Sequence, residues 1–136
     1  MSDRILIISD DVSRASLEHA LVERGFDVSM ADNPSDGYQR LIESRFKLAV
    51  VNLERAASGL DLIKRIRSNA ALNRLFVLTI AEWGSGQPTV ALAHGADGFE
   101  PTPIEGERLV VAVEKLLRPN MVMTAKASAT RADLEE

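Results

Sequence analysis

Residues 4–11 read RILIISDD. Arg4–Ile8 is a short run, apolar after its first residue, that ends abruptly in Ser9-Asp10-Asp11. A continuous apolar run of this length fits a parallel strand covered on both faces. Acids directly beyond it fit the C-terminal edge of an open α/β sheet, where such proteins bind ligands. The chain then repeats the unit. Ser13–Arg24 carries Leu17, Ala20 and Leu21 at helical spacing, and Gly25 supplies a C-terminal cap. Asp27–Ala31 alternates, as a less buried strand does. Asn33-Pro34 starts a helix, since Asn can cap and Pro is preset for the first turn. That helix places Tyr38, Leu41 and Ile42 on one side and fades near Ser44.

Leu48–Val51 is a third strand and Leu60–Arg67 a helix with Leu62, Ile63 and Ile66 inward. Leu75–Ile80 is a fourth strand. A Gly-rich loop follows, and Pro88 opens a short helix that Gly95 stops. Gly98–Glu100 is a brief fifth strand, and Glu105–Leu117 a helix with Leu109, Val110, Val113, Leu116 and Leu117 inward. Right-handed crossovers then place helices on both faces of one parallel sheet. Residues 1–118 are expected to form one domain, and 119–136 a mobile tail or linker.

Composition removes several classes of function. Hydrophobic residues make up 46% of the chain, enough for a core, while only six are aromatic, so Leu, Ile, Val and Ala must fill it. The absence of cysteine excludes disulfides, thiolate metal sites and Cys nucleophiles, and fits a cytoplasmic protein. The net charge of −4 argues against nucleic acid as a direct partner. No apolar run reaches ~18 residues, which argues against a membrane span. His19 and His94 have no carboxylate partner or second ligand at metal spacing in the sequence.

The segments RILIISDD, GFDVSMADNPSDGYQRL, KLAVVNL, GLDLIKRIR and GADGFEPTPI, in this order, resemble the response-regulator receiver family of two-component signalling. The resemblance runs from about Arg4 to Arg118 and implies a flavodoxin-like (βα)5 sheet of strand order 2-1-3-4-5. It also implies a site: two acids after strand 1 that hold Mg²⁺, an Asp ending strand 3 that becomes an acyl phosphate, a hydroxyl after strand 4, and a Lys before a Pro after strand 5. An incoming phosphoryl group needs a hard cation, a carboxylate nucleophile and compensating donors.

This chain departs from that pattern at most positions. Ser9 and Asp10 fall at the acid pair, or Asp10 and Asp11 if the register shifts by one. The phosphoacceptor position holds Asn52. Counting back from Gly95 puts Ile80 at the hydroxyl position, whereas counting along the strand offers Thr79. Thr102 replaces the Lys before Pro103. An amide nitrogen cannot attack phosphorus, and fewer acids attract Mg²⁺ less. Asp10, the Asn52 side-chain oxygen and the Glu54 carbonyl could form at most a weak hydrated Mg²⁺ site. Removing the Lys together with acids avoids a buried unpaired charge, so the pocket reads as converted as a unit.

The resemblance therefore implies a pseudo-receiver: a non-enzymatic module that signals by protein contact without Asp phosphorylation. Its partners would be a histidine kinase, an output domain or another regulator. The expected contact surface is the helix 4–strand 5–helix 5 face, with Trp83, Phe99 and Pro103, which could also form a homodimer. Phe99 is expected to pack beside the last helix, and Thr102-Pro103 to be cis. Two other readings stay open. One is a phosphorylatable receiver that uses Asp10, Asp11 or Glu54 with Mg²⁺. The other is a small-molecule-binding flavodoxin-like domain, although the chain has no nucleotide or flavin fingerprint.

Overall fold

The computed structural model describes residues 3–53, 59–82, 84 and 86–118. The expected tail, Glu54 and Trp83 lie outside the described residues. Five strands, β1 (Arg4–Ile8), β2 (Asp27–Ala31), β3 (Leu48–Asn52), β4 (Phe76–Glu82) and β5 (Gly98–Thr102), alternate with five helices. These are α1 (Arg14–Glu23), α2 (Pro34–Glu43), α3 (Gly59–Ser68), α4 (Gln87–Ala93) and α5 (Gly106–Leu117). The sheet is parallel, in the order β2-β1-β3-β4-β5.

Strand periodicity splits the core in two. Leu6, Ile8, Ala49, Val51, Val77 and Ala81 face one layer, with Leu41 of α2, Ile63 and Ile66 of α3 and Ala91 of α4. Ile5, Ile7, Leu48, Val50, Leu78 and Ile80 face the other, with Leu17 and Leu21 of α1 and Leu109, Val110 and Val113 of α5. Both faces are covered, which is why β1 and β3 read as unbroken apolar runs.

Local chemistry sets the helix ends. The Asn33 side chain accepts from Asp36 N–H at 2.8 Å, capping α2 as its sequence suggested. Losing this bond in Asn33→Ala is expected to cost about 1 kcal/mol, read by urea unfolding. Gly106 opens α5 where it crosses α1. A Cβ there would sit 2.5 Å from that of Ala20, so only glycine permits this approach.

An unforeseen lock ties α3 to β4 and β5. Arg67 Nε donates to the Gly95 carbonyl at 2.8 Å, and Nη2 to Asp97 Oδ2 at 2.7 Å. The same carboxylate oxygen accepts from Val77 N–H at 2.8 Å. Gly95 has φ 117°, and a Cβ there would meet Arg67 Cγ at 2.5 Å. Asp97→Ala strands both donors and is expected to cost about 1–3 kcal/mol in urea unfolding. Asp97→Asn, which keeps an acceptor, should cost less.

Several expectations need correction. Ile42 is 49% exposed and does not share the inward face of Leu41. β4 starts at Phe76, because Leu75 N–H is taken by Leu72 O in a single 3₁₀ turn, Ala70–Leu72. β4 extends to Glu82, and β5 to Thr102, since Ala81 and Glu82 stay in register with Pro101 and Thr102. Pro101 is tolerated because β5 is an edge strand. Leu116 and Leu117 are only partly buried, although they pack on the α1–α5 layer. His19 does have a carboxylate neighbour, Glu23 at 3.4 Å one helical turn on, and both are exposed.

Candidate functional site

The strands end together on one edge, and register decides which candidate side chains share a face there. Asn52 pairs with Ile80, and Ile80 with Glu100. Ser9 continues β1 beyond the Ile8–Val51 pair. Paired residues of parallel strands project to the same side, so Ser9, Asn52, Ile80 and Glu100 form one row toward α1 and α5. Thr102 lies on this face, two residues beyond Glu100.

The neighbouring row is Val51, Thr79 and Phe99, which faces α3 and α4. The structure therefore does not bring Thr79 together with Asn52. Thr79 is fully buried on the other face, and its hydroxyl donates to the Gly98 carbonyl at 2.9 Å. Counting from Gly95, which selects Ile80, agrees with this register. Phe99 packs against the α2–α3–α4 layer rather than beside α5 as expected. An odd–even difference of one residue along β4 and β5 makes both changes.

Ser9 and Asn52 are buried, with 5% and 6% exposure. Asn52 Nδ2 donates to Ser9 Oγ at 3.2 Å, and Asp11 N–H donates to the same oxygen at 3.0 Å. Asp11 Oδ1 accepts from Ser13 N–H at 2.9 Å, so one of its oxygens organises the turn into α1. Asp10 is exposed. Ile80 adds an apolar side chain to this row and is 2% exposed. The Thr102–Pro103 bond is cis, as expected, and Pro103 is exposed.

Two charged features were missed. Arg14 Nη1 donates to the Ser9 carbonyl at 2.8 Å and pairs with Asp32 at the end of β2. The short link of Val12 and Ser13 was the available signal, since it brings the first turn of α1 directly behind Ser9. Arg108 of α5 donates to Glu100 at 2.8 Å, in the same row as Asn52 and Ile80. This pair joins residues eight apart on different elements, so no helical spacing announces it.

The residues present do not fit a tightly held divalent ion. Among the described residues, no three His, Cys, Asp or Glu come together as a metal site. Mg²⁺ prefers hard, charged oxygens, and Ser9 and Asn52 offer neutral ones. What the edge provides is a polar, internally hydrogen-bonded patch beside an apolar wall.

No family model matches the chain. It is 31% identical over 134 residues to a Salmonella typhimurium protein described as "Probable transcriptional regulatory protein SilR", covering 96% of this chain and 58% of that one. It is 32% identical over 118 residues to the "Two-component response regulator PhoP" of Pseudomonas aeruginosa, covering 85% of this chain and 52% of that one. The chain spans about half the length of the curated relatives it matches. Among solved structures, a signal receiver domain of a response regulator from Bermanella marisrubri superposes with TM-score 0.78 at 25% identity, covering 87% of this chain and 100% of that one. Strand order, face assignment and these matches together identify the chain as a response-regulator receiver domain of the two-component type.

Proposed function

We propose that this receiver domain signals by protein contact without forming an acyl phosphate at Asn52. The carrying observation is Asn52 itself, buried at the end of β3 with its amide donating to Ser9. The amide nitrogen lone pair is delocalised into the carbonyl, so it is no nucleophile toward phosphorus. Ile80 and Thr102 support the reading, because Ile80 brings no hydroxyl and Thr102 no fixed cation to a new phosphoryl group. The pocket residues in this account are Ser9, Asp10, Asp11, Asn52, Ile80 and Thr102.

Contact would run through the α4–β5–α5 face. Exposed apolar side chains on α4 (Val90 and Leu92) and on α5 (Val111) support that surface. Its partner would be a histidine kinase, an output domain or a second copy of the chain. Residues 1–118 act as the domain and 119–136 as a tail or linker in this reading.

The test is incubation of the wild-type chain with acetyl phosphate and Mg²⁺, read by intact mass, and with beryllofluoride, read by NMR. No added phosphoryl group and no shifts around residues 9–11, 52 and 102 are expected. A stoichiometric acyl phosphate on Asp10, Asp11 or Glu54 would overturn the proposal.

A further inference from the structure

Positive charge is unevenly placed in this acidic chain. Residues 40–74 hold eight basic and three acidic side chains, a balance of +5 within a total of −4. Ion pairing follows the same division. Arg4, Arg14, Arg24, Arg108 and Arg118 each pair with a carboxylate. Within 40–74, Arg67 does so. Arg40, Arg45, Lys47, Lys64, Arg65 and Arg74 make no ion pair among the described residues, and all six are exposed. Unpaired cations on one stretch of an acidic protein are available to an anionic partner.

Two of these cations line a groove of about 700 Å³ between α2 and the end of α3. Asp61, Lys64, Arg65 and Ser68 form the α3 wall at helical spacing, and Tyr38 stands opposite on α2. The groove is held in shape. The Arg65 guanidinium lies 4.0 Å from the Tyr38 ring centre, and Asn69 Nδ2 donates to the Tyr38 hydroxyl at 3.1 Å. Ile42 stands one turn beyond Tyr38 on α2 and is the half-exposed residue that the apolar pattern would have buried. Arg74 and Lys47 carry the positive charge on toward the N-terminal ends of β4 and β3, where Lys47 O bonds Phe76 N–H.

We infer that the α2–α3 groove is a docking site for an acidic peptide segment of a partner protein, separate from the α4–β5–α5 face. Lys64 and Arg65 would meet its carboxylates, and Tyr38 and Ile42 would take an apolar side chain between them. A pre-ordered Tyr beside Arg is the composition that concentrates binding energy in protein interfaces. The adjoining Ile42 favours a peptide over a bare phosphate chain, which offers no aliphatic group to cover it. This inference stands whether or not Asn52 can be bypassed by another acceptor, because no pocket residue takes part in it.

The test is fluorescence anisotropy on the full chain with a labelled peptide, Glu-Glu-Leu-Glu-Glu-Leu-Glu, at low salt. Saturable binding is expected, with NMR shifts gathered on residues 38–42 and 61–69. Reversal of both cations, Lys64→Glu with Arg65→Glu, should weaken it about tenfold or more. Ile42→Ser should weaken it severalfold, and Asp10→Asn at the far edge should leave it unchanged. All these positions are exposed, so thermal unfolding of each variant should stay close to wild type, with the small loss at Arg65→Glu coming from its Tyr38 contact. Absence of saturable binding, or shifts located elsewhere, overturns the inference. So does tighter binding of a single-stranded oligonucleotide at the same residues, which would make the partner a phosphate chain. Binding that appears only after Asp133→Asn, Glu135→Gln and Glu136→Gln would assign the groove to the chain's own acidic end instead.

Discussion

Asn52→Asp combined with Thr102→Lys is expected to give a chain that accepts a phosphoryl group from acetyl phosphate, where wild type is expected to accept none. Both positions lie on the α1–α5 face of the sheet edge, so the new carboxylate and the new ammonium project to the same side. Asn52 and Asp are nearly isosteric, so the backbone register with Ile80 should survive. The new carboxylate is compensated in two ways. The Ser9 hydroxyl can turn to donate to it, because Ser9 Oγ now accepts from Asn52 at 3.2 Å. The Lys supplies a fixed positive charge on the same side as the buried anion. Asn52→Asp alone should therefore be the least stable of the set, by about 1–3 kcal/mol in urea unfolding. Adding Ser9→Asp to the pair should strengthen Mg²⁺ and beryllofluoride binding further, since Ser9 stands in the same row as Asn52. Intact mass with acetyl phosphate reads the gain directly. If the triple variant stays unmodified while folded, the face assignment of Ser9, Asn52 and Thr102 is wrong.

Ile63→Ala is expected to cost about 2–5 kcal/mol, a large share of the roughly 5–15 kcal/mol that holds a domain of this size. Ile63 is fully buried on α3 in one cluster with Leu6, Ile8, Val51 and Val77. The strands beneath it are fixed by pairing on both sides, so they cannot collapse into the space left behind. The comparison is Ile42→Ala. The same deletion at a 49% exposed site should stay within about 0.5 kcal/mol. Urea unfolding of the two variants separates them, and equal losses would place Ile42 in the core after all.

These two isoleucines also show how far the sequence could be read. Ile63 lies among Leu62 and Ile66 on a helix whose opposite positions are charged, so its period left one choice of face. Ile42 directly follows Leu41, and an adjacent pair on a helix is buried together, as Leu62 and Ile63 are, or only in part, as here. Which outcome holds depends on the rotation of α2 against β1. Ser9 and Asn52 could be placed at strand ends because the apolar runs stop there, whereas Thr102 was reached only through the family resemblance, beyond a strand read as ending at Glu100. Thr79 and Ile80 stayed alternatives, and Phe99 was assigned to the α5 side, because a strand alternates every residue and a shift of one changes the face.

The sequence by itself determined five parallel βα units, the strand order through its family resemblance, and an Asn at the end of the third strand. Those features are written in apolar runs, caps and residue identity, which act over a few neighbours. Only the tertiary structure decided that Thr79 is spent on Gly98 and that Arg67 and Asp97 lock α3 to the sheet. It also placed Tyr38 against Arg65, residues 27 apart, and left Ile42 beside them at the surface. Each of these depends on register or on the packing rotation of one element against another. No local pattern of residues encodes those quantities, because they are set when distant segments compete for the same buried surface.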